Sequence, residues 1–381
     1  MRFINLYFPL KLSVGAGSRK EFSADASGMA LSRILVITFP EIRPTLDPLF
    51  EELRQSGISL DIDDSIRKEP GFQDFDKVLD KAQKYQPDLV LGVGGGSVLD
   101  VAKLVAAQLD NNQTLKEITG INKLKGRNTK LACMPTTAGT GSEVSPNAIL
   151  LDEDEELKKG IISPHLVPDI VYIDPELTLS VPPSVTAFTG IDAFTHCLEA
   201  YVNKNAHPMI DGYAIEGMSL IIGSLETAIH DPGNLQARSD LSLGSMYGGM
   251  CLGPVNTTAI HALSYPLGSE FHIAHGLSNA LLLPYVMEFN LPAAEKRYAK
   301  VAELFGFEKN LHQAQKAQLS IQAIRDLIGK CGLPATLSEI DIPRESIPRM
   351  AESAMKIQRL LVNNPREVTR QDAIGIYKNA Y

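Results

Sequence analysis

The stretch DLVLGVGGGSVLDVAKLVAA (Asp88–Ala107) decides the fold class. DLVLGVG is an apolar run of strand length, the pattern of a strand buried on both faces of a parallel sheet. It runs directly into Gly94, Gly95, Gly96 and Ser97, and then into a helical pattern with apolar residues at Val98, Val101, Ala102 and Val105. A glycine turn at the mouth of a helix lets backbone amides approach a phosphate, and the helix dipole favours the anion. The spacing departs from G-x-G-x-x-G, so these residues alone allow either a pyrophosphate cradle or a tight structural turn.

Working outward, the same alternation recurs on both sides. FINLYF (Phe3–Phe8) reads as a strand ended by Pro9, and as an edge for pairing between subunits. SVGAGS (Ser13–Ser18) is a turn, RILVITF (Arg33–Phe39) a buried strand, Leu46–Gln55 a helix, ISLDID a short strand, and Phe72–Tyr85 another helix. Beyond the glycines, LACMPTTAGTGSEVS (Leu131–Ser145) is a strand leading into a second Gly/Thr/Ser loop, followed by the strands NAILL, GIIS and DIVYIDP (Asp169–Pro175). Such alternation predicts a doubly wound α/β domain over residues 1–175. From residue 176 to 381 helical periodicity takes over, with helices predicted over Ser184–Val202, Ile210–His230, Gln236–Gly249, Thr257–Ser264, His275–Phe289, Ala293–Phe305 and Leu311–Cys331.

Within that helical half, TGIDAFTHCLEAYV (Thr189–Val202) puts Asp192 and His196 four residues apart, on one face of a helix. AIHALSYPLGSEFHIAHGLSNA (Ala259–Ala280) adds His261 and His275, and Pro266 and Gly268 predict a helix break between them. One carboxylate and three imidazoles suit Fe²⁺, Zn²⁺ or Ni²⁺ better than Mg²⁺ or Ca²⁺, which favour all-oxygen shells.

The net charge of −9 leaves no basic field, which argues against a nucleic-acid partner. No apolar run approaches the ~18 residues of a membrane span. Cys133, Cys197, Cys251 and Cys331 are widely spaced, without a pairwise metal or redox motif, which fits buried thiols in a reducing, cytoplasmic setting. The acidic run Asp152–Glu156 reads as a solvated turn.

GGGSVLDVAK, PTTAGTGSEVS, TGIDAFTHCLEAYV and HALSYPLG followed by HIAHG together resemble the iron-containing (group III) alcohol dehydrogenases, in order and spacing, over nearly the whole chain. The resemblance implies a Rossmann-like nucleotide-binding domain, an all-α C-terminal domain of dehydroquinate synthase-like architecture, and a divalent metal, Fe²⁺ or alternatively Zn²⁺. By position it implies Asp192, His196, His261 and His275 as metal ligands. It places Gly94, Gly95, Gly96 and Ser97 on the dinucleotide pyrophosphate, Asp100 towards the nicotinamide, Thr136 and Thr137 beside the adenosine half, and Lys158 on the cofactor, with Lys159 as the alternative.

Two departures from the family pattern matter. Thr38 stands where many members carry an aspartate for the ribose hydroxyls, which leaves NAD and NADP both open. Tyr265 stands where some members carry a second histidine for proton transfer, so Tyr265 or His272 takes that role. The implied activity is hydride exchange between a primary alcohol or aldehyde and a nicotinamide, in a homodimer. There is a fainter likeness to the members that oxidise the terminal hydroxyl of the sugar acid 3-deoxy-octulosonate. The alternative is a metal- and NAD-dependent lyase of dehydroquinate synthase type, with no net redox change.

Overall fold

The run Leu89–Gly94 forms a strand, and all of it is buried inside a parallel sheet. In chain order the strands are β1 (Lys11–Val14), β2 (Arg33–Ile37), β3 (Ser59–Asp63), β4 (Leu89–Gly94), β5 (Gly120–Ile121), β6 (Lys130–Pro135), β7 (Asn147–Asp152), β8 (Leu157–Ile162) and β9 (Ile170–Ile173). This computed structural model describes residues 2–67, 69–155 and 157–381. Among them, six strands make one parallel sheet in the order β1-β9-β6-β4-β2-β3, and β5-β8-β7 make a small second sheet. Strand order reverses between β2 and β4, so the crevice past their C-terminal ends is where a ligand binds in such sheets. Thr38 follows β2 there, and the glycine turn follows β4.

Helices α1 (Glu21–Gly28), α2 (Arg43–Gln55), α3 (Phe72–Tyr85), α4 (Gly96–Gln108) and the short α5 (Leu115–Ile118) complete this half. Phe22, Leu46 and Phe50 pack against Ile34, Val36, Leu91 and Val93, an apolar layer that water does not reach. Gly94 must be glycine: an added Cβ would lie 2.5 Å from Cβ of Val98, so the turn into α4 would have to open.

The contacts divide the chain into two compact units. One comprises Asn5–Thr137 and Gly141–Val181. The other comprises Pro182–Tyr381, Ala138–Thr140 and a piece ending at Ile4. The second is helical, with α6 (Pro183–Val202), α7 (Pro208–His230), α8 (Leu235–Leu252), α9 (Ala259–Phe271), α10 (His275–Leu304) and α11 (Gln313–Lys330). Among the described residues no helix is long and apolar enough to cross a membrane. All four cysteines are free and buried.

Three expectations are corrected. Phe3–Phe8 forms no strand and the first strand is β1; Phe3 is 85% exposed, and no neighbouring strand offers its backbone a ladder. Pro266 and Gly268 do not break the helix, which continues to Phe271, and α10 likewise runs unbroken through Pro284 and Pro292. An interior proline costs about 3 kcal/mol, and packing offsets it here. The Tyr377 hydroxyl donates to the Leu263 carbonyl one turn before Pro266, and Arg366 donates to the Phe289 carbonyl one turn before Pro292. The acidic run is only partly a solvated turn: Asp152 is buried and accepts the amides of Asp154 and Glu155. The Glu153 carboxylate accepts the amides of Phe72 and Gln73 at the head of α3, where it complements the helix dipole. Asp154 and Glu155 are exposed, and Glu156 lies outside the described residues.

Candidate active site

Asp192 and His196 project from one face of α6, His261 comes from the first turn of α9, and His275 opens α10. One donor atom from each lies within 4.8 Å of all the others. The Nε2 atoms of His196 and His261 are 3.0 Å apart, and Oδ1 of Asp192 is 3.7 Å from Nε2 of both His261 and His275. Ligands about 2.0–2.2 Å from one cation stand roughly 3–3.5 Å from each other; the two imidazoles fall in that range, and the Asp192 oxygen, 4.0 Å from Nε2 of His196, would close in by a few tenths of an ångström to share an ion. The site owes its closeness to Gly276, whose Cβ would lie 2.3 Å from the Phe188 carbonyl oxygen; only glycine lets α10 start so near α6.

The chemistry of the donor set fits a cation as well. Nδ1 of His196 donates to the Gly139 carbonyl at 3.3 Å, and Nδ1 of His261 donates to a carboxylate oxygen of Glu199. Both Nε2 atoms therefore present lone pairs to one another, an arrangement that needs positive charge between or beside them. The Asn279 amide partly supplies it: Nδ2 lies 2.7 Å from Oδ1 of Asp192, 3.2 Å from Nε2 of His261 and 3.4 Å from Nε2 of His275. Its own Oδ1 is buried with no partner. Burial opposes charge on Asp192, but His196, His275, His261 and the Asn279 N–H outweigh it and hold the carboxyl below its ordinary range. Burial holds the His196 imidazole below its ordinary value.

In the α/β unit, Gly95 precedes α4, whose first turn carries no acidic side chain. First-turn amides have no acceptor within their own helix, which suits Gly94–Ser97 to a diphosphate. The Thr136 amide donates to the Gly94 carbonyl at 3.0 Å, tying the second loop to the first; Thr137 packs against Gly95 and is half-buried. Asp100 is turned inward: one oxygen accepts the Ser142 hydroxyl and the other the Ile149 amide at 2.8 Å. Lys103 is fully buried, and its ammonium donates to Ser142, Ser145 and Asn147, clamping the same loop. Thr38 is fully buried and donates to the Val93 carbonyl at 2.8 Å. Lys158 pairs with Glu69 at 2.6 Å, and Lys159 with Glu155.

Two family profiles match this chain: "Iron-containing alcohol dehydrogenase" over residues 9–175 and "Fe-containing alcohol dehydrogenase family, C-terminal" over residues 186–381. The chain belongs to the iron-containing alcohol dehydrogenases. It is 35% identical to long-chain-alcohol dehydrogenase 1 of Geobacillus thermodenitrificans over 387 residues, covering 100% of this chain and 98% of that one. Its fold matches a solved 1,3-propanediol oxidoreductase with a TM-score of 0.96, at 30% identity and with both chains fully covered. It also matches a sulfoacetaldehyde reductase from Bifidobacterium kashiwanohense, solved with NAD⁺, with a TM-score of 0.89 at 26% identity, covering 100% of this chain and 99% of that one.

As a metal-dependent alcohol dehydrogenase, an oxidoreductase, the protein needs a path for a proton. The Tyr265 hydroxyl accepts from Arg359 at 2.9 Å, and its ring centroid lies 6.2 Å from that of His275. His272 caps the end of α9 in the left-handed conformation and is exposed. Glu199 and Asn279 were not singled out in the sequence of this dehydrogenase. The available signal was spacing: Glu199 follows His196 by three residues and Asn279 follows His275 by four, each one turn from a ligand in an otherwise apolar stretch.

Proposed function

We propose that the protein interconverts a primary alcohol and its aldehyde by hydride exchange with NAD, using a divalent ion, Fe²⁺ or Zn²⁺, held by Asp192, His196, His261 and His275. The observation that carries this reading is the convergence of those four donor atoms within 4.8 Å in a largely buried cluster. A divalent ion supplies Lewis acidity, favouring loss of an alcohol's proton in one direction and polarising a carbonyl in the other.

The chain's own residues do the rest. The first-turn amides of α4, with Gly94, Gly95, Gly96 and Ser97, hold the diphosphate, while Thr136 and Thr137 line the adenosine half. Lys158 reaches the cofactor once it exchanges its Glu69 partner. Asp100 keeps the loop at residues 142–149 in register with α4, beside the nicotinamide. Thr38 leaves the ribose hydroxyls without a carboxylate, yet Arg43, the basic side chain that follows, is held by Asp64 at 3.0 Å. That pairing favours NAD over NADP. Tyr265, which accepts from Arg359 with its ring 6.2 Å from that of His275, or the exposed His272 relays the proton.

The relatives are named for long-chain alcohols, propanediol and sulfoacetaldehyde, so an alcohol or aldehyde of unrestricted chain length is the substrate class we adopt. The 3-deoxy-octulosonate reading draws no support from them, and neither does the lyase. The free, buried cysteines support a cytoplasmic setting. The exposed apolar side chains of Phe3, Tyr7 and Phe8 support a homodimer that covers that apolar segment. The test is nicotinamide absorbance with NAD, a panel of primary alcohols and diols, and protein loaded with Fe²⁺ or Zn²⁺. Net formation of reduced nicotinamide is expected; turnover that leaves the cofactor unchanged would overturn the reading.

A further inference from the structure

Glu199 is fully buried on α6, with one carboxylate oxygen against Nδ1 of His261. A carboxylate in that position is costly unless it is fully hydrogen-bonded and its charge is matched. Its hydrogen bonds are complete. Oε1 accepts the Thr258 hydroxyl at 2.6 Å and the Ile260 amide at 2.8 Å, while Oε2 takes the proton on Nδ1 of His261. Thr258 stands at the N-cap position of α9 but makes no side-chain cap, so Glu199 serves the first turn of that helix from outside.

The charge is not matched by any of these neutral donors. Two buried carboxylates, Asp192 and Glu199, flank one cluster, and a divalent cation would balance both. His196 has only the neutral Gly139 carbonyl behind it, so the two imidazoles are not equivalent. We propose that Glu199 is the positioning residue of the metal centre: it locks His261 in the tautomer that bares Nε2 and, through Thr258 and Ile260, fixes the start of α9 at that distance. This rests on the metal-dependent reading of the site.

Glu199→Gln separates this role from plain packing. The Ile260 amide can only donate, so the glutamine oxygen must stay on Thr258 and Ile260, which turns its NH₂ towards Nδ1 of His261. The imidazole then relieves the clash of donors by moving its proton to Nε2, which closes the ligand lone pair. Metal affinity of the full chain, measured with Zn²⁺ against a competing chelator, is expected to fall about 10–100-fold in E199Q. Thr258→Ala keeps the carboxylate on His261 and is expected to stay within about threefold of wild type.

Wild-type affinity in E199Q, or an equal loss in T258A, would overturn the proposal. Should E199Q fail to fold, ¹⁵N–¹H spectra of the wild-type metal-free protein decide instead: a proton on Nδ1 of His261 supports the assignment, and a proton on Nε2 overturns it. A wild-type chain that binds no divalent ion would defeat the metal reading itself, a result distinct from these.

Discussion

Two buried carboxyl groups in this protein are driven in opposite directions. Asp192, among the helices, is held below its ordinary range because three imidazoles and an amide N–H overcome burial. Glu143, in the loop between β6 and β7, has burial as its dominant influence; its own backbone amide and Lys103 only partly offset this, and its carboxyl is pushed up to about 7. The helical unit gathers acceptors around a place for a cation. In the α/β unit the polar groups near the glycine turn satisfy one another, Asp100 with Ser142 and Ile149, and Lys103 with the loop carbonyls. The helical unit clusters side-chain donors, whereas the α/β unit uses its side chains to hold the loops around the glycine turn.

The largest effect that would sharpen this contrast is His261→Ala. Loss of the metal and a fall in turnover of at least about a thousandfold are expected, with dinucleotide binding retained by direct titration. Normal turnover would refute the ligand assignment.

Next comes Glu143→Gln, read as stability against pH. Below about 4.5, the ordinary carboxyl value, folded and unfolded chains both hold the proton. Between there and about 7 only the unfolded chain releases it, so stability falls as pH rises through that window and stays lower above it. The wild-type-minus-variant difference in denaturant unfolding should lose up to roughly 3 kcal/mol across the window. A flat difference would show that Glu143 is not held neutral.

Gly94→Ala is expected to cost about 1–3 kcal/mol of stability and to weaken NAD binding while bound metal stays at wild-type stoichiometry. Loss of metal in that variant would break the separation between the two regions. The smallest change is expected from Tyr265→Phe, a fall of about tenfold or less in kcat with metal and NAD affinity unchanged; an unaltered kcat and pH profile would remove Tyr265 from the proton path.

Much of this was legible in the sequence because the signals were local. The helix Phe72–Tyr85, the apolar runs of β2 and β4, and the four side chains that cluster in the helical unit all rest on periodicity or residue type within short windows. What was not legible depends on partners distant in the chain. Glu199 reads as one more helical glutamate until α9 arrives with Thr258, Ile260 and His261. Pro266 reads as a helix breaker, yet α9 runs on through it to Phe271 within the buried packing of the helical unit, and Phe3–Phe8 has strand composition without a neighbour to pair with. Asp100 carries the charge expected of a ligand contact, and only the folded chain shows it, together with Lys103, bonded to the loop at residues 142–149.

The most direct test is a crystal of the Zn²⁺-loaded protein measured at the zinc absorption edge. The account predicts one anomalous peak per chain, about 2.0–2.2 Å from the Asp192 carboxylate and from Nε2 of His196, His261 and His275. A peak elsewhere, or none at saturating metal with those four side chains packed against one another, would contradict it.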